Sequence, residues 1–205
     1  YADVVGIEGL SVDNQVRVGK RLARVFEEEL ADVQKAEETY RFVLTVQPTD
    51  AEALANVDRI YTDLEQWPEL AAVLEQRAVL AEDTSDKVEF YGRLGQVYEE
   101  QLAQTEDAVR AYGKIFNELE PTNEGAIAAL ARIYSLTERW ADLNVVYARE
   151  LENAAGDVEE AEIRAKIATL ASDRLGRTDE AIEGWKRVLD LRGEDPEALG
   201  ALTSL

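Results

Sequence analysis

Carboxylates standing side by side are the groups in this chain with the plainest capacity for chemistry. Glu27-Glu28-Glu29, Glu99-Glu100 and Glu159-Glu160 each offer two or three acids, and at helical spacing such groups can serve as general acid and general base. The chain, however, carries 43 acidic residues against 22 basic ones, a net charge of −21. In so acidic a chain, neighbouring carboxylates are expected to be solvated helix faces. Nucleophiles fare no better. Ser11 follows Gly9-Leu10, but Val12-Asp13 after it does not make the sharp turn a nucleophilic serine needs, and no histidine exists to serve it. Cysteine is absent as well. Together these absences remove imidazole mechanisms, thiol nucleophiles, disulfides and thiolate zinc sites. Asp83-Thr-Ser-Asp86 lacks the glycine and the distal glutamate of a calcium loop. Gly92 and Gly95 fall inside a helical stretch instead of ahead of one, so they cradle no phosphate. The expectation is a chain without catalytic residues, bound metal or cofactor, and therefore not an enzyme.

The elements that must carry any function are helices. Apolar residues recur at helical spacing almost everywhere, as in Leu22, Val25, Phe26 and Leu30, and no stretch alternates as a strand would. Breaks fall regularly at Gln47-Pro-Thr-Asp50, Asp83-Thr-Ser-Asp86, Glu120-Pro-Thr-Asn123, Ala155-Gly-Asp157 and Arg192-Gly-Glu-Asp-Pro196. Asp and Asn there suit helix N-caps, and Pro cannot continue a preceding helix. Shorter turns near Asp32, Glu65, Gln104, Glu138 and Arg177 divide each piece into a hairpin. The pieces are near-copies. Leu22-Ala-Arg-Val-Phe-Glu-Glu-Glu-Leu30 returns 72 residues later as Leu94-Gly-Gln-Val-Tyr-Glu-Glu-Gln-Leu102, and Arg59-Ile-Tyr61 with Trp67 returns after 73 as Arg132-Ile-Tyr134 with Trp140. A fixed period marks an array whose units bury their apolar faces by stacking on one another. Because Trp67, Trp140 and Trp185 repeat with the unit, they are expected to pack it.

Tyr91-x-x-Leu94-Gly95-x-x-Tyr98, then Ala108-x-x-x-Tyr112 and Pro121, resembles the tetratricopeptide-repeat (TPR) signature. The same frame fits Leu22-Ala23-x-x-Phe26 with Ala36, Tyr40 and Pro48, and Ile127-x-x-Leu130-Ala131-x-x-Tyr134 with Leu143 and Tyr147. Ile167-Ala168-x-x-Ala171 with Ala181 and Trp185 fits more weakly, and Leu54-x-x-Val57-Asp58-x-x-Tyr61 with Leu70 and Leu74 diverges most. The resemblance implies an all-α, right-handed superhelix of antiparallel hairpins with about eleven helices. The hairpins are expected near 12–47, 50–82, 85–120, 123–155 and 158–192, with a partial one at 195–205, in one solenoid over 1–205. Equivalent apolar positions Leu22, Val57, Leu94, Leu130 and Ile167 stand 35, 37, 36 and 37 apart, and the extra residues are expected in the turns. Residues 1–10 read as the tail of a second helix, and Leu199, Leu202 and Leu205 as the first helix of a sixth hairpin. A fragment of a longer array is therefore expected. With no methionine in the chain, Tyr1 is not expected to be a natural start.

In proteins of this resemblance the first helix of each hairpin lines a concave groove that binds peptides or extended segments. Two residues after the signature leucine, the groove position falls on Arg24, Arg59, Gln96, Arg132 and Thr169, with Glu28 and Glu100 next along the same face. Arginines at that spacing suit the carboxylates or carbonyls of a bound segment; the plainer reading is that each pairs with a neighbouring carboxylate. The expected partner is another protein, as a peptide or helical segment, and an acidic groove suits basic peptides. The charge argues against nucleic acid, and no apolar run approaches the ~20 residues needed to span a bilayer. A structural spacer or self-associating element remains the alternative.

Overall fold

Five helical hairpins and a final helix follow one another in the computed structural model, which describes residues 10–205. The expected helix tail at residues 1–10 lies, apart from Leu10, outside the described residues. In chain order the helices are α1 (Val12–Arg24) packed on α2 (Val33–Val46), α3 (Ala51–Asp63) on α4 (Trp67–Leu80), then α5 (Thr84–Gln96) followed by α6 (Thr105–Lys114), α7 (Glu124–Leu136) on α8 (Trp140–Glu152), and α9 (Asp157–Asp173) on α10 (Thr178–Arg192). Helix α11 (Pro196–Ser204) closes the series. Among the described residues there are eleven α-helices and no strand. The chain divides into two compact units, one ending at Ala108 and the other beginning at Val109, within α6.

Caps fall where short polar residues allow them. Asp32, Asp50, Asn123 and Asp195 each accept a hydrogen bond from the backbone N–H three residues on, at 3.1, 2.8, 3.0 and 3.0 Å. This satisfies donors that a helix start otherwise leaves open. Each hairpin then buries a strip of small and aromatic residues. Ala23, Ala36 and Tyr40 are buried in the first hairpin, Leu54, Val57, Tyr61 and Leu74 in the second, and Ala168, Ala181 and Trp185 in the fifth. The small residue at the signature position sets the helix separation. A Cβ added at Gly184 on α10 would stand 2.9 Å from the Cβ of Ala168 on α9, closer than carbon atoms pack. Of the three tryptophans only Trp185 is core, at 3% exposed. Trp67 and Trp140, each the first residue of a second helix at the hairpin turn, are half-buried. The guanidinium of Arg174 lies 4.8 Å from the Trp140 ring centre.

The hairpin turn itself is constant, so the extra residues lie on either side of it. Every hairpin turns through one residue in the left-handed region: Ala31, Glu65, Ala103, Glu138 and Gly176, with φ of 51, 54, 52, 55 and 64°. In each case the second helix begins two residues later. One extra residue lies before this point in alternate hairpins, but the two 37-residue spacings arise after it: Val57 and Leu130 are the seventh residues of α3 and α7, Leu94 and Ile167 the eleventh of α5 and α9. Leu22, Leu94 and Ile167 precede their left-handed residue by nine positions, Val57 and Leu130 by eight. In the first and third hairpins the extra residue is absorbed by a π-turn ending the first helix, Val25–Glu29 and Val97–Gln101. The closing hydrogen bonds record the same alternation. Asp32, Gln104 and Arg177 donate to the sixth residue back, Phe26, Tyr98 and Ala171; Gln66 and Arg139 donate to the fifth, Tyr61 and Tyr134. An extra residue in a regular helix would swing everything after it by about 100°. A wide turn takes it up locally and leaves the apolar face in register.

Ala31 and Ala103 hold a conformation that costs an L-residue roughly 1–2 kcal/mol, and the fifth hairpin already uses glycine there. Ala31→Gly with Ala103→Gly should therefore raise the melting temperature by a few degrees, net of the entropy glycine adds to the unfolded chain. Thermal circular dichroism measures this, and an unchanged or lowered midpoint would contradict it.

Candidate functional site

The groove positions read from the sequence are exposed, and several are tied to neighbours. On α1, Arg24 is bonded to Glu52 of α3. Arg59 of α3 reaches back to Glu27, at 2.5 Å, and along its own helix to Asp63 at 3.7 Å. Lys20 joins the same junction through Asp50 at 3.0 Å and Glu52 at 2.9 Å. The first helices of hairpins one and two thus lie side by side, stitched by charge pairs. Gln96 donates to Glu100 within its own helix at 3.1 and 3.3 Å, and the Thr169 hydroxyl donates to the carbonyl of Ala165 at 2.9 Å. Arg132, Thr169, Glu28 and Glu100 are all exposed.

Charge pairing moves the titrations at this junction. The Glu52 carboxyl is held below its ordinary range, chiefly by the Arg24 hydrogen bond and then by Lys20. The Lys20 ammonium is raised, chiefly by its bond to Glu52. A carboxyl depressed in the folded state contributes stability above its unfolded pKa, lost as pH falls through the folded value. An ammonium raised in the folded state contributes fully below its unfolded pKa, and that contribution is lost as pH rises through the folded one. The junction is therefore at full strength between the carboxylate and lysine ranges. Replacing Glu52 by Gln should lower the melting temperature on this plateau by at most a few degrees, the pair being partly exposed. The deficit should shrink on acidification below the glutamate range. Melting curves across pH test this; a deficit that persists unchanged in acid would refute the assignment.

A second cluster was not anticipated. Asp58 occupies the position that is Ala23, Gly95, Ala131 and Ala168 in the other hairpins, and it is only 2% exposed. Arg93 of α5 grips it with two hydrogen bonds, 2.9 and 2.6 Å, and Arg77 of α4 bonds the same carboxylate. The Arg77 guanidinium also lies 4.2 Å from the centre of the Phe90 ring. A buried carboxylate is tolerated only when paired and hydrogen-bonded like this, and the bidentate fork is the geometry arginine supplies. One acid therefore binds three helices from two hairpins. The signal lay in the alignment: a charged residue at a position otherwise always small.

The chain contains its own comparison. Shifted by 73 residues, Asp58, Arg77 and Arg93 become Ala131, Glu150 and Lys166. The acid has gone, the first arginine has become an acid, and Lys166 now faces Glu150 at 3.5 Å. Removing Asp58 alone should leave two arginines without their carboxylate and cost about 2–4 kcal/mol. Asp58→Ala combined with Arg77→Glu copies the second arrangement and should recover at least half of that loss. Chemical denaturation of the single and double variants measures the coupling; additive losses would dissolve the proposed exchange.

Among the described residues, no group of three or more acidic side chains converges as a metal site would, and no helix is long and apolar enough to cross a membrane.

Residues 53–88 match the family model of the tetratricopeptide repeat, and this is the hairpin whose signature diverges most by eye. That match covers one hairpin; the chain is likewise all-α in the rest of its described residues, a succession of helical hairpins. Among solved structures it is similar to MamA, at 21% identity over 80% of this chain and 91% of that one, with a TM-score of 0.46. It is similar also to YrrB, described as a TPR protein with an unusual peptide-binding site, at 15% identity over 96% and 99% and a TM-score of 0.47. A third likeness is to pilF of Pseudomonas aeruginosa, at 16% identity over 95% and 87% and a TM-score of 0.42. No curated protein sequence matches the chain.

Proposed function

We propose that this protein is a non-catalytic interaction scaffold that binds a peptide or partner segment along the face made by the first helices of its hairpins. The observation that carries this reading is the junction of α1 and α3. There Arg24, Arg59 and Lys20 are held by Glu52, Glu27 and Asp50 while remaining open on one side. Side chains already fixed by neighbours lose little freedom when a partner arrives, so their contacts are not offset by ordering costs. A carboxylate or carbonyl of the partner would take the open donors of Arg24 and Arg59, and Arg132, the counterpart of Arg59 in the second double repeat, would act likewise. Gln96, Glu28 and Glu100 on the first helices of the first unit, and Thr169 on a first helix of the second, would add contacts within their own units. The absence of histidine and cysteine from the whole chain supports a scaffold over an enzyme, and the charge of −21 supports a protein partner over nucleic acid.

Affinity capture with the unaltered chain and with the variant Arg59→Glu/Arg132→Glu tests this. Loss of a captured protein by the variant, with helicity unchanged, is the expected outcome. Capture that is indifferent to the reversal would remove the first-helix face from consideration.

One observation favours self-association as a second reading. Leu199 and Leu205 are 49% and 42% exposed, whereas Leu202 packs on the cluster of Ala168, Trp185 and Val188. Leu199→Ser should then abolish any concentration-dependent dimer seen in sedimentation, and a monomer at every concentration would exclude it.

A further inference from the structure

The exchange of Asp58 and Arg77 for Ala131 and Glu150 leaves space behind it. In the first double repeat Leu54 and Leu74 are 2% and 0% exposed, and the hollow beside Asp58, Arg77 and Arg93 measures about 300 Å³. In the second, the equivalent Ile127 and Tyr147 are only half-buried. There a recess of about 700 Å³ opens between α7, α8 and α9. Its floor is Ile127, Ala131 and Tyr147; Glu124, Glu150 and Glu159 lie around it, with Lys166 the one basic residue in its lining. Glu159 accepts the backbone N–H of Ala155 at 2.7 Å, and Lys166 meets Glu150 through one long contact and lies 5.5 Å from the Tyr147 ring centre. Acidic charge around an apolar, aromatic floor selects a cation with a flat or apolar body.

We propose that this recess takes an arginine side chain of the bound partner segment. The first double repeat supplies the argument from within the chain. There the corresponding space receives Arg77, whose guanidinium lies over Phe90 and bonds a carboxylate. In the second, the arginine's position has become Glu150 and the ring's has become Ile163; the acid and ring present there, Glu150 and Tyr147, are met by the ammonium of Lys166, with no guanidinium of the chain's own. A partner arginine would lay its stem on Ile127, stack on Tyr147 and bond Glu150, the carboxylate Lys166 holds at 3.5 Å. Arginine suits this better than lysine because its planar fork can stack and bond an acid at once. The inference rests on the scaffold reading above and names the chemistry of the partner at one position along it.

The probe is N-acetyl-arginine amide, titrated into the isotope-labelled full chain and followed by amide and Tyr147 chemical shifts. Expected are saturable shifts confined to α7, α8 and α9, with a dissociation constant in the millimolar range suited to a single side chain. N-acetyl-citrulline amide, neutral but isosteric, should bind at least tenfold more weakly, and the lysine analogue severalfold more weakly. Glu150→Gln should weaken the arginine probe about tenfold. Ala131→Asp/Glu150→Arg, which transplants the Asp58–Arg77 pair, should abolish binding while preserving helicity. The proposal is overturned if shifts fail to saturate, if they centre elsewhere, if citrulline or lysine binds as well as arginine, or if the transplant still binds. Capture of a partner through Arg59 that survives the transplant would sink the arginine site and leave the scaffold standing. Arginine binding with no captured partner would do the opposite.

Discussion

Each hairpin depends on a single residue forced into the left-handed region between its two helices. The residue after it closes the first helix by donating its backbone N–H to the fifth or sixth residue back, and the second helix begins at the next position. Because this link never varies in length, the angle between paired helices is set before any side chain packs. The small residues at Ala23, Gly95, Ala131 and Ala168 can then meet the opposite helix closely, and the aromatic strip fills what remains. Four of the five turn residues are alanine or glutamate instead of glycine, so the array accepts local strain to keep its geometry.

With the turn fixed, variation moves elsewhere. An additional residue is taken up as a π-turn at the end of α1 and α5, which is why the array alternates between two kinds of hairpin. Charge varies in the same way. One double repeat encloses an acid between two arginines; the other replaces the acid with alanine and one arginine with glutamate. The first pairs a buried charge, as it must, the second a partly exposed one, and the two leave different surfaces. The first is closed over Leu54 and Leu74, and the second leaves Ile127 and Tyr147 partly uncovered. Repeats of one framework thus acquire distinct binding properties without any change in helix arrangement.

The acidity of the chain acquires structure in the same light. Most of the basic residues in the charge pairs described above face acids on a neighbouring helix or one turn away. At the α1–α3 junction Lys20, Arg24 and Arg59 are drawn into a band of mutual pairs whose strength spans the neutral range of pH. Such pairs contribute little stability each when exposed. Their effect is on order, since they hold long side chains in place on a face that would otherwise be mobile.

Helix number, hairpin boundaries, capping residues and the double-length unit all follow from local rules. Apolar spacing and the placing of Asp, Asn and Pro act within a few residues, so they are legible one segment at a time. The equivalence of Arg24 and Arg59 within the repeat was legible for the same reason, whereas their partners Glu52 and Glu27 come from another helix. Asp58 looked like a flaw in the signature, because its meaning rests on Arg77 and Arg93, 19 and 35 residues away. The π-turns were equally hidden: an extra residue can lodge in a loop or a helix end, and only packing against the second helix chooses between them. The half-burial of Trp67 and Trp140 and the opening beside Tyr147 belong to the same group. Burial is a property of what neighbouring helices leave uncovered, and that is settled when the hairpins stack.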